Sequence, residues 1–345
     1  MSICSNPNSL ESQIRASRIR AQEASYQTLH RVSEVQRMFP GCSFGSYFEN
    51  PAELPRLQPA ERPKVAVFQH SDILDPVVSW QRELVHGIAP LACETGTSTT
   101  QRICLINAAY DERAGGDWMS AMSCQEDAIC RRSTLYHSLI TPGEGETRHT
   151  FYPIENGGIY SPNVIVHREG PTKNYEMYHT PEDCTVISVV SVSPERTPML
   201  SGDGSYTFDL EKDLQKRKMI TALRIVAKHG HRNIVIGSFG SVNREVPEYS
   251  TRKSNRGGGH SGQGPLHDER RDINPIREVA KLWTELLDVS DSEFMGYFDS
   301  VVFIVGVGVR STEEAEVVSR SFKLPAVPRL MKEWFPGQYD MVYRD

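Results

Sequence analysis

Hydrophobic residues along this chain follow two alternating patterns. Short runs rich in Val and Ile predict buried strands at 64–68, 102–106, 163–167, 185–192, 233–238 and 300–308. Between these runs, apolar residues recur at helical spacing and predict helices at about 79–93, 121–140, 211–229 and 275–288. Strands that alternate with helices indicate an α/β fold. Continuously apolar strands such as 185–192 suit a sheet that helices cover on both faces.

Three segments lie outside this alternation. Residues 9–38 predict one helix or two, ending at Pro40 and Gly41, within an N-terminal helical arm at 1–60. One enlarged domain at 61–310 follows, and 311–345 form a C-terminal extension. Inside the domain, 243–272 is long, Gly-rich and charged, with almost nothing to bury. We therefore predict a flexible insertion there.

Composition narrows the class of protein and its location. Of the residues, 38% are hydrophobic and 24% charged, and no apolar run approaches the roughly 18 residues of a membrane span, so we expect no contact with a membrane. The seven cysteines are scattered and never spaced as CxxC, which predicts reduced thiols rather than a disulfide framework or a zinc knuckle. With no apolar stretch typical of a secretory signal at the N-terminus, these thiols predict a cytoplasmic or nuclear protein. A net charge of -6 argues against strong binding to duplex nucleic acid.

Two loops have the composition of anion cradles. The strand at 102–106 runs into Asn107, and a loop containing Gly115 and Gly116 then leads to a helix. Glycines let backbone N–H groups approach a phosphate, and the N-terminus of the following helix attracts negative charge. A second such loop, "GSFGS" at 237–241, follows the strand at 233–236 and could hold a diphosphate, with Phe239 against a sugar or base. The alternatives are an ordinary strand-to-helix turn in the first loop and a core position for Phe239 in the second.

Gln125, Glu126 and Asp127 stand at the head of the helix that follows the first loop. Acidic residues in a first turn commonly cap the helix and interact with its dipole. The functional alternative is a carboxylic acid that protonates the leaving oxygen of a glycosidic bond, with nearby oxygens stabilising an oxocarbenium-like centre. The motifs of phosphate-loop nucleotide hydrolases, α/β-hydrolases and zincins are missing, and His229 and His231 at a helix end suit capping better than a metal.

The sequence resembles the microbial-type poly(ADP-ribose) glycohydrolases, whose catalytic domain is a macrodomain. That family carries a glycine triplet, about seven residues, and then Gln-Glu-Glu. Here Gly115, Gly116 and Asp117 precede seven residues and then Gln125 to Asp127. The segments "LINAA", "CRRSTLYHSL", "IYSPNVIVHRE", "VAKHGHRNIVIGSFGS" and "NPIREVAKLWTELL" are also similar to the family, so the resemblance spans roughly 100–308.

The resemblance implies a macrodomain-like mixed sheet flanked by helices on both faces. It implies that ADP-ribose or an ADP-ribosylated protein is the partner, that a ribosyl bond of poly- or mono-ADP-ribose is hydrolysed, and that no cofactor or metal is needed; it leaves the oligomeric state open. In that interpretation Asp127 is the acid and Glu126 orients the sugar. The implied ligand-binding residues are Asn107, Gly115, Gly116, Gln125, Gly237, Ser238, Phe239, Gly240, Ser241 and Asn274.

Departures from the family pattern fall on the site itself. Asp127 stands where the family has its catalytic glutamate, and Asp117 replaces the third glycine. The run 242–273 separates the second loop from Asn274. An aspartate is one methylene shorter than glutamate, and a misplacement of about 1 Å can cost on the order of a hundredfold in rate. The alternatives to a hydrolase are therefore a module that binds ADP-ribose or a related nucleotide without turning it over, and a scaffold that has lost the ligand.

Overall fold

The computed structural model describes residues 10–58, 63–70, 72–85, 99–120, 124–196, 198–241, 274–305 and 312–323. The predicted insertion at 243–272 and most of the C-terminal extension therefore lie outside the described residues. The strands are β1 (Tyr47–Glu49), β2 (Lys64–Gln69), β3 (Ile103–Ala108), β4 (Gly158–Val166), β5 (Thr185–Val192), β6 (Asn233–Ile236) and β7 (Ser300–Val305). The helices are α1 (Leu10–Met38), α2 (Leu74–Leu84), α3 (Gln125–Arg132), α4 (Leu135–Ile140), α5 (Asp209–Lys228), α6 (Ile276–Leu287) and α7 (Thr312–Ser321).

All seven of these strands form one mixed sheet in the order β1-β4-β5-β3-β6-β7-β2. The five strands from β5 to β2 run parallel, and β4 and β1 add an antiparallel edge. The predicted α/β fold with a mixed sheet is confirmed. Strands β3 and β6 are parallel neighbours, so their carboxyl ends open at one edge of the sheet, where both candidate loops begin.

Helices cover both faces of the sheet because side chains alternate along its strands. Along β3, Cys104 and Ile106 pack into one core with residues of α5, α6 and α7, whereas Ile103 and Leu105 pack into a second core with residues of α2, α3 and α4. The central strands are thus buried on both sides, which explains their continuous apolar sequence.

Several predictions differ from the structure, beginning with α2, which starts at Leu74 rather than at 79. The segment predicted as one helix at 121–140 is two, α3 and α4, with Ser133 extended between them and bridged to Val166 of β4. Strand β1, inside the predicted arm, was not predicted and belongs to the sheet. Cys42 is disulfide-bonded, so the expectation of reduced thiols throughout is wrong at this position, although Cys104, Cys124, Cys130 and Cys184 are free. The domain boundaries and the cytoplasmic or nuclear location stay predictions.

The N-terminal helix is docked on the domain. Ala21 and Ala24 of α1 pack with Tyr175, and Val35 packs with Ile165 of β4. Among the described residues, no helix has the length and apolar content that crossing a bilayer would need.

Candidate active site

Asn107 occupies the carboxyl end of β3 and is fully buried. Its Nδ2 donates to Glu126 Oε1 at 3.3 Å and to Ser191 Oγ at 3.1 Å. Its Oδ1 is buried too, and no hydrogen bond reaches it within the described part of the chain. A buried acceptor without a donor is costly unless a ligand or water satisfies it. Asn107 is therefore held in one orientation with an acceptor available for a ligand hydroxyl.

Glu126 lies in the first turn of α3 and is 1% exposed. Its Oε1 accepts the Asn107 bond, and its Oε2 accepts the backbone N–H of Tyr110 at 2.8 Å. Both donors come from the end of β3 and the residues just after it. The structure thus brings the two predicted site residues Asn107 and Glu126 together.

Asp127 faces the start of its own helix. Its Oδ2 accepts the backbone N–H of Cys124, the N-cap residue of α3, at 3.3 Å. This is the capping arrangement that the sequence left open as the alternative to an acid role, and the carboxyl group is as buried as that of Glu126. The two neighbouring carboxylates therefore have different surroundings, one at the strand end and one at the helix cap.

Gln125 lies between the end of β3 and the second candidate loop. Its Nε2 donates to the backbone carbonyl of Ile106 at 2.9 Å. Its Oε1 lies so close to Gly237 that a Cβ on that glycine would approach it within 2.0 Å. Because carbon and oxygen atoms essentially never approach so closely, only glycine allows this contact.

Gly115 and Gly116 both adopt left-handed backbone conformations, with φ of 70° and 53°. A Cβ would lie 2.7 Å from the Trp118 ring at Gly115 and 2.7 Å from the Tyr110 ring at Gly116. The packing of the loop itself therefore demands both glycines, whether or not a phosphate binds.

Asp117, which replaces the third family glycine, does not enter the loop interior. Its carboxylate forms an ion pair with Arg113, and both side chains are about half exposed, 48% and 54%. Since it is turned outward and paired, its repulsion of an anion at the loop is reduced by solvent and by the partner charge.

Two arginines flank Tyr110, a residue that the sequence analysis did not single out. The guanidinium of Arg113 lies 5.2 Å from the centre of the ring and that of Arg196 lies 4.9 Å from it. Arg196 also pairs with Asp111 at 2.5 Å. Arg196 comes just after β5, far along the chain from Tyr110. No spacing in the sequence links it to the first loop.

Phe239 in the second loop is a core residue. Its ring is 1% exposed and packs edge-on against Trp283 of α6, with centroids 5.5 Å apart. The expectation that this ring contacts a sugar or base is wrong, because the ring fills the space between the sheet and α6. The backbone of Phe239 and Gly240 has positive φ, 37° and 85°, so the loop still turns sharply.

Ser238 and Ser241 lie on either side of this turn. The Ser241 hydroxyl donates to the backbone carbonyl of Ser238 at 2.6 Å. The Ser238 hydroxyl is buried and has no hydrogen-bond partner among the residues described. Together with Asn107 Oδ1, it is a second polar group for which a ligand would supply the missing partner.

Asn274 closes the second loop in space, although the run 242–273 separates the two in sequence. Its backbone N–H donates to the carbonyl of Gly240 at 2.8 Å, and its Nδ2 donates to the carbonyl of Glu195 at 2.8 Å. Its Oδ1 accepts the hydroxyl of Tyr206 at 2.7 Å. Asn274 therefore holds the loop in shape through both ends of its amide, and this is a different role from the ligand contact that the sequence predicted.

The two cysteines of α3 and its cap are not activated thiols. Burial, reinforced by the nearby carboxylates, raises the pKa of Cys124 and Cys130 well above the usual range, so both thiols stay protonated at neutral pH. Within the described ranges, no group of three His, Cys, Asp or Glu side chains has the geometry to hold a metal ion. The polar groups that the described residues bring together here are carboxylates, amides and backbone N–H groups.

Residues 79–169 match the family model of the microbial-type PARG catalytic domain. The matched segment contains Asn107, the first glycine loop and Gln125 to Asp127. The resemblance predicted from the sequence is thereby confirmed for this part of the chain. No curated protein matches the chain.

Solved PARG structures have the same fold. The poly(ADP-ribose) glycohydrolase from Thermomonospora curvata is similar with a TM-score of 0.57 and 18% identity, over 89% of this chain and 100% of that one. The same enzyme bound to the inhibitor ADP-HPD is similar with a TM-score of 0.53 and 17% identity, over 89% of this chain and 99% of that one. The enzyme from Deinococcus radiodurans in complex with ADP-ribose is similar with a TM-score of 0.53 and 16% identity, over 82% of this chain and 98% of that one. The predicted macrodomain-like architecture is confirmed.

Proposed function

We propose that this protein is an ADP-ribose-processing hydrolase that cleaves a ribosyl glycosidic bond of poly- or mono-ADP-ribose. The observation that carries the proposal is the position of Gln125 between the end of β3 and the second loop, beside the buried pair Asn107 and Glu126. The match of this segment to the microbial-type PARG catalytic domain supports the same function.

In this proposal the first loop and Asn107 receive the ribose, and the second loop receives the diphosphate. Asn107 Oδ1 accepts a ribose hydroxyl, and the buried Ser238 hydroxyl donates to a phosphate oxygen. The N-terminus of α3 adds a dipole that favours developing negative charge. Asn107 Nδ2 and the Tyr110 N–H orient the Glu126 carboxylate. This carboxylate accepts hydrogen bonds from the sugar hydroxyls and so fixes the sugar.

Asp127 is the candidate acid. It protonates the leaving oxygen as the bond from that oxygen to the anomeric carbon breaks, and water then adds to the oxocarbenium-like carbon and returns a proton to the carboxylate. The Cys124 N–H donates to Oδ2, so in this role Oδ1 carries the proton that passes to the leaving oxygen.

A second candidate function is a module that binds ADP-ribose without hydrolysing it. The hydrogen bond from the Cys124 N–H to Asp127 favours this alternative, because that carboxylate oxygen already has a structural role in the cap of α3. The two candidates share one ligand and differ only in turnover.

The variant Asp127→Glu separates the two functions. A glutamate reaches about 1 Å further, so we expect the hydrolase to gain up to about a hundredfold in turnover of ADP-ribosylated protein, with unchanged affinity for ADP-ribose. Release of ADP-ribose is measured by chromatography and affinity by calorimetry. The control Asp127→Asn keeps the size of the side chain and removes the acid, so any turnover should disappear.

Unchanged turnover in an Asp127→Glu variant that still binds ADP-ribose would favour the binding module over the hydrolase. Glu126→Gln provides a further comparison, since it removes a charge at the ribose without touching the cap. We expect it to weaken binding and turnover together.

A further inference from the structure

Residues 193–196, which follow β5, contact both candidate loops. Strand β3 lies between its parallel neighbours β5 and β6, so this segment and the two loops leave the sheet at the same edge. The segment packs directly on the second loop, since a Cβ on Gly240 would lie 2.7 Å from the side chain of Pro194. The next two residues extend the contact, one to each loop.

Glu195 holds the second loop through its backbone. Its N–H donates to Gln215 Oε1 at 2.8 Å, and the Nε2 of this fully buried glutamine donates to the Phe239 carbonyl at 3.2 Å. The Glu195 carbonyl accepts from Asn274 Nδ2, the residue that closes the same loop. Both polar groups of the Glu195 backbone are thus used to fix the second loop.

Arg196 contacts the first loop. Its Nη1 lies 2.5 Å from Asp111 Oδ1, and its guanidinium lies 4.9 Å from the centre of the Tyr110 ring. The backbone N–H of Tyr110 in turn donates to Glu126 Oε2 at 2.8 Å. A planar guanidinium that pairs with a carboxylate and lies over a ring at the same time fixes the position of the chain that carries both. Arg196 therefore acts on Glu126 through the first residues of the first loop.

We propose that Arg196 is a positioning residue that couples the two loops, so that a ligand whose diphosphate is bound by the second loop presents its ribose to Asn107 and Glu126. The inference rests on the proposed function, which assigns the ribose to the first loop and the diphosphate to the second. Loss of the Arg196 side chain removes contacts with the first loop, whereas the second loop keeps its bonds to Gln215 and Asn274.

Calorimetric titrations of the full-length protein with ADP and with ADP-ribose test this role, because ADP carries the diphosphate without the terminal ribose. In the native protein we expect ADP-ribose to bind more tightly than ADP. Arg196→Gln should reduce this preference about three- to tenfold, the combined effect of one partly exposed ion pair and one cation–π contact. The affinity for ADP should stay the same, which a general loss of structure would not allow.

Further variants separate positioning from a merely structural role. Arg196→Lys keeps a positive charge beside Asp111 and should retain most of the preference for ADP-ribose. Asp111→Asn should lose part of it, and its combination with Arg196→Gln should add little, because the ion pair is already gone. The matched control is Arg224→Gln, which removes a partly buried ion pair with Glu293, about two and a half turns of α5 beyond Gln215. It should change neither affinity.

The inference is overturned when native protein binds ADP-ribose no more tightly than ADP, or when Arg196→Gln leaves the preference unchanged. An equal loss of affinity for ADP and ADP-ribose in Arg196→Gln would also contradict it, since the arginine would then support the site as a whole. Failure of the proposed hydrolysis gives a different result, namely a preference that depends on Arg196 without release of ADP-ribose from ADP-ribosylated protein.

Discussion

At the scale of single residues, the site depends on buried side chains that hydrogen bonds hold in one orientation. Asn107 and Glu126 hold each other, and Gln125 lies against Gly237. The sequence predicted these residues because they stand where strands end and a helix begins. It could not predict that Phe239 enters the core, because a phenylalanine between small residues has the same pattern whether its ring faces a ligand or packs on Trp283.

Gly237→Ala tests the contact between Gln125 and the second loop. The new methyl group would overlap Gln125 Oε1, 2.0 Å away, so we expect a loss of about 1–3 kcal/mol in the free energy of unfolding and weaker ADP-ribose binding. Urea denaturation and calorimetry measure the two effects.

Shortening the opposing side chain should restore part of the stability of this variant. In Gly237→Ala with Gln125→Ala, the free energy of unfolding lost to the overlap should return, less about 0.5–1.5 kcal/mol for the missing Gln125 bond to the Ile106 carbonyl, while ADP-ribose binding stays weak. Gly202→Ala is the control, because a Cβ there meets nothing within 4 Å. Equal stability of Gly237→Ala and Gly202→Ala would mean that Gln125 does not contact the second loop as described.

Two buried histidines make the stability of the fold depend on pH. Burial lowers the pKa of His167 to about 3 and that of His231 to about 4, from 6.5. Both histidines stay neutral in the folded protein, whereas in the unfolded chain they take up a proton below pH about 6.5. The folded state is therefore most stable above that pH, and it loses stability as the pH falls toward 4.

The free energy of unfolding should therefore decrease between pH 6.5 and 4, by at most about 1.4 kcal/mol per pH unit for each histidine. Urea denaturation at several pH values gives this slope. His167→Asn should flatten it, and His30→Asn, on the exposed side of α1, should leave it unchanged. A native protein equally stable at pH 6.5 and 4.5 would contradict this assignment.

At the scale of elements, helix α1 supports the first loop from behind. The Ser25 hydroxyl donates to the backbone carbonyl of Trp118 at 2.8 Å and accepts from Arg131 Nε at 3.0 Å. Arg131 Nη2 also donates to the Trp118 carbonyl, at 3.1 Å. Hydrogen bonds thus tie the arm, the turn after the glycine loop, and α3 into one unit.

Ser25→Ala should destabilise the protein by about 1–3 kcal/mol, since it leaves a buried guanidinium N–H without its acceptor. We also expect weaker ADP-ribose binding, because Trp118 follows the loop directly. Ser33→Ala on the exposed side of the same helix is the control and should have almost no effect. If both variants behave alike in thermal denaturation, the arm does not support the loop.

Elements differ in how far the sequence could predict them. Helices α5 and α6 follow the predicted bounds closely because their apolar spacing is uninterrupted. The break between α3 and α4 was missed, because it is stabilised by contacts distant in sequence, such as the bond from the Ile165 N–H to Thr134 Oγ1 at 3.0 Å. Strand β1 was missed for the same reason, since three residues gain strand geometry only by pairing with β4.

At the scale of the whole molecule, the two ends of the segment 242–273 are adjacent. Ser241 and Asn274 flank it, and Asn274 donates directly to Gly240, at 2.8 Å. The second loop is thus closed by residues on both sides of the segment. The sequence of the segment 242–273 is Gly-rich and charged, so it has few apolar side chains to bury.

Deleting residues 250–270 should therefore leave the fold intact. We expect Tm to change by less than about 2 °C, because the ends stay joined by a shorter linker and the deleted sequence has few apolar side chains to bury. Scanning calorimetry of the deletion variant and the full-length protein measures the difference. A large fall in Tm would show that the segment packs on the domain.

The most direct test of the account is a calorimetric titration of the full-length protein with ADP-ribose, carried to millimolar concentration, with Asn107→Ala as the comparison. We expect binding in the micromolar range that Asn107→Ala weakens at least tenfold. Absence of both heat and a thermal shift in the native protein would mean that the two loops do not form a site for ADP-ribose, and would contradict the proposed function.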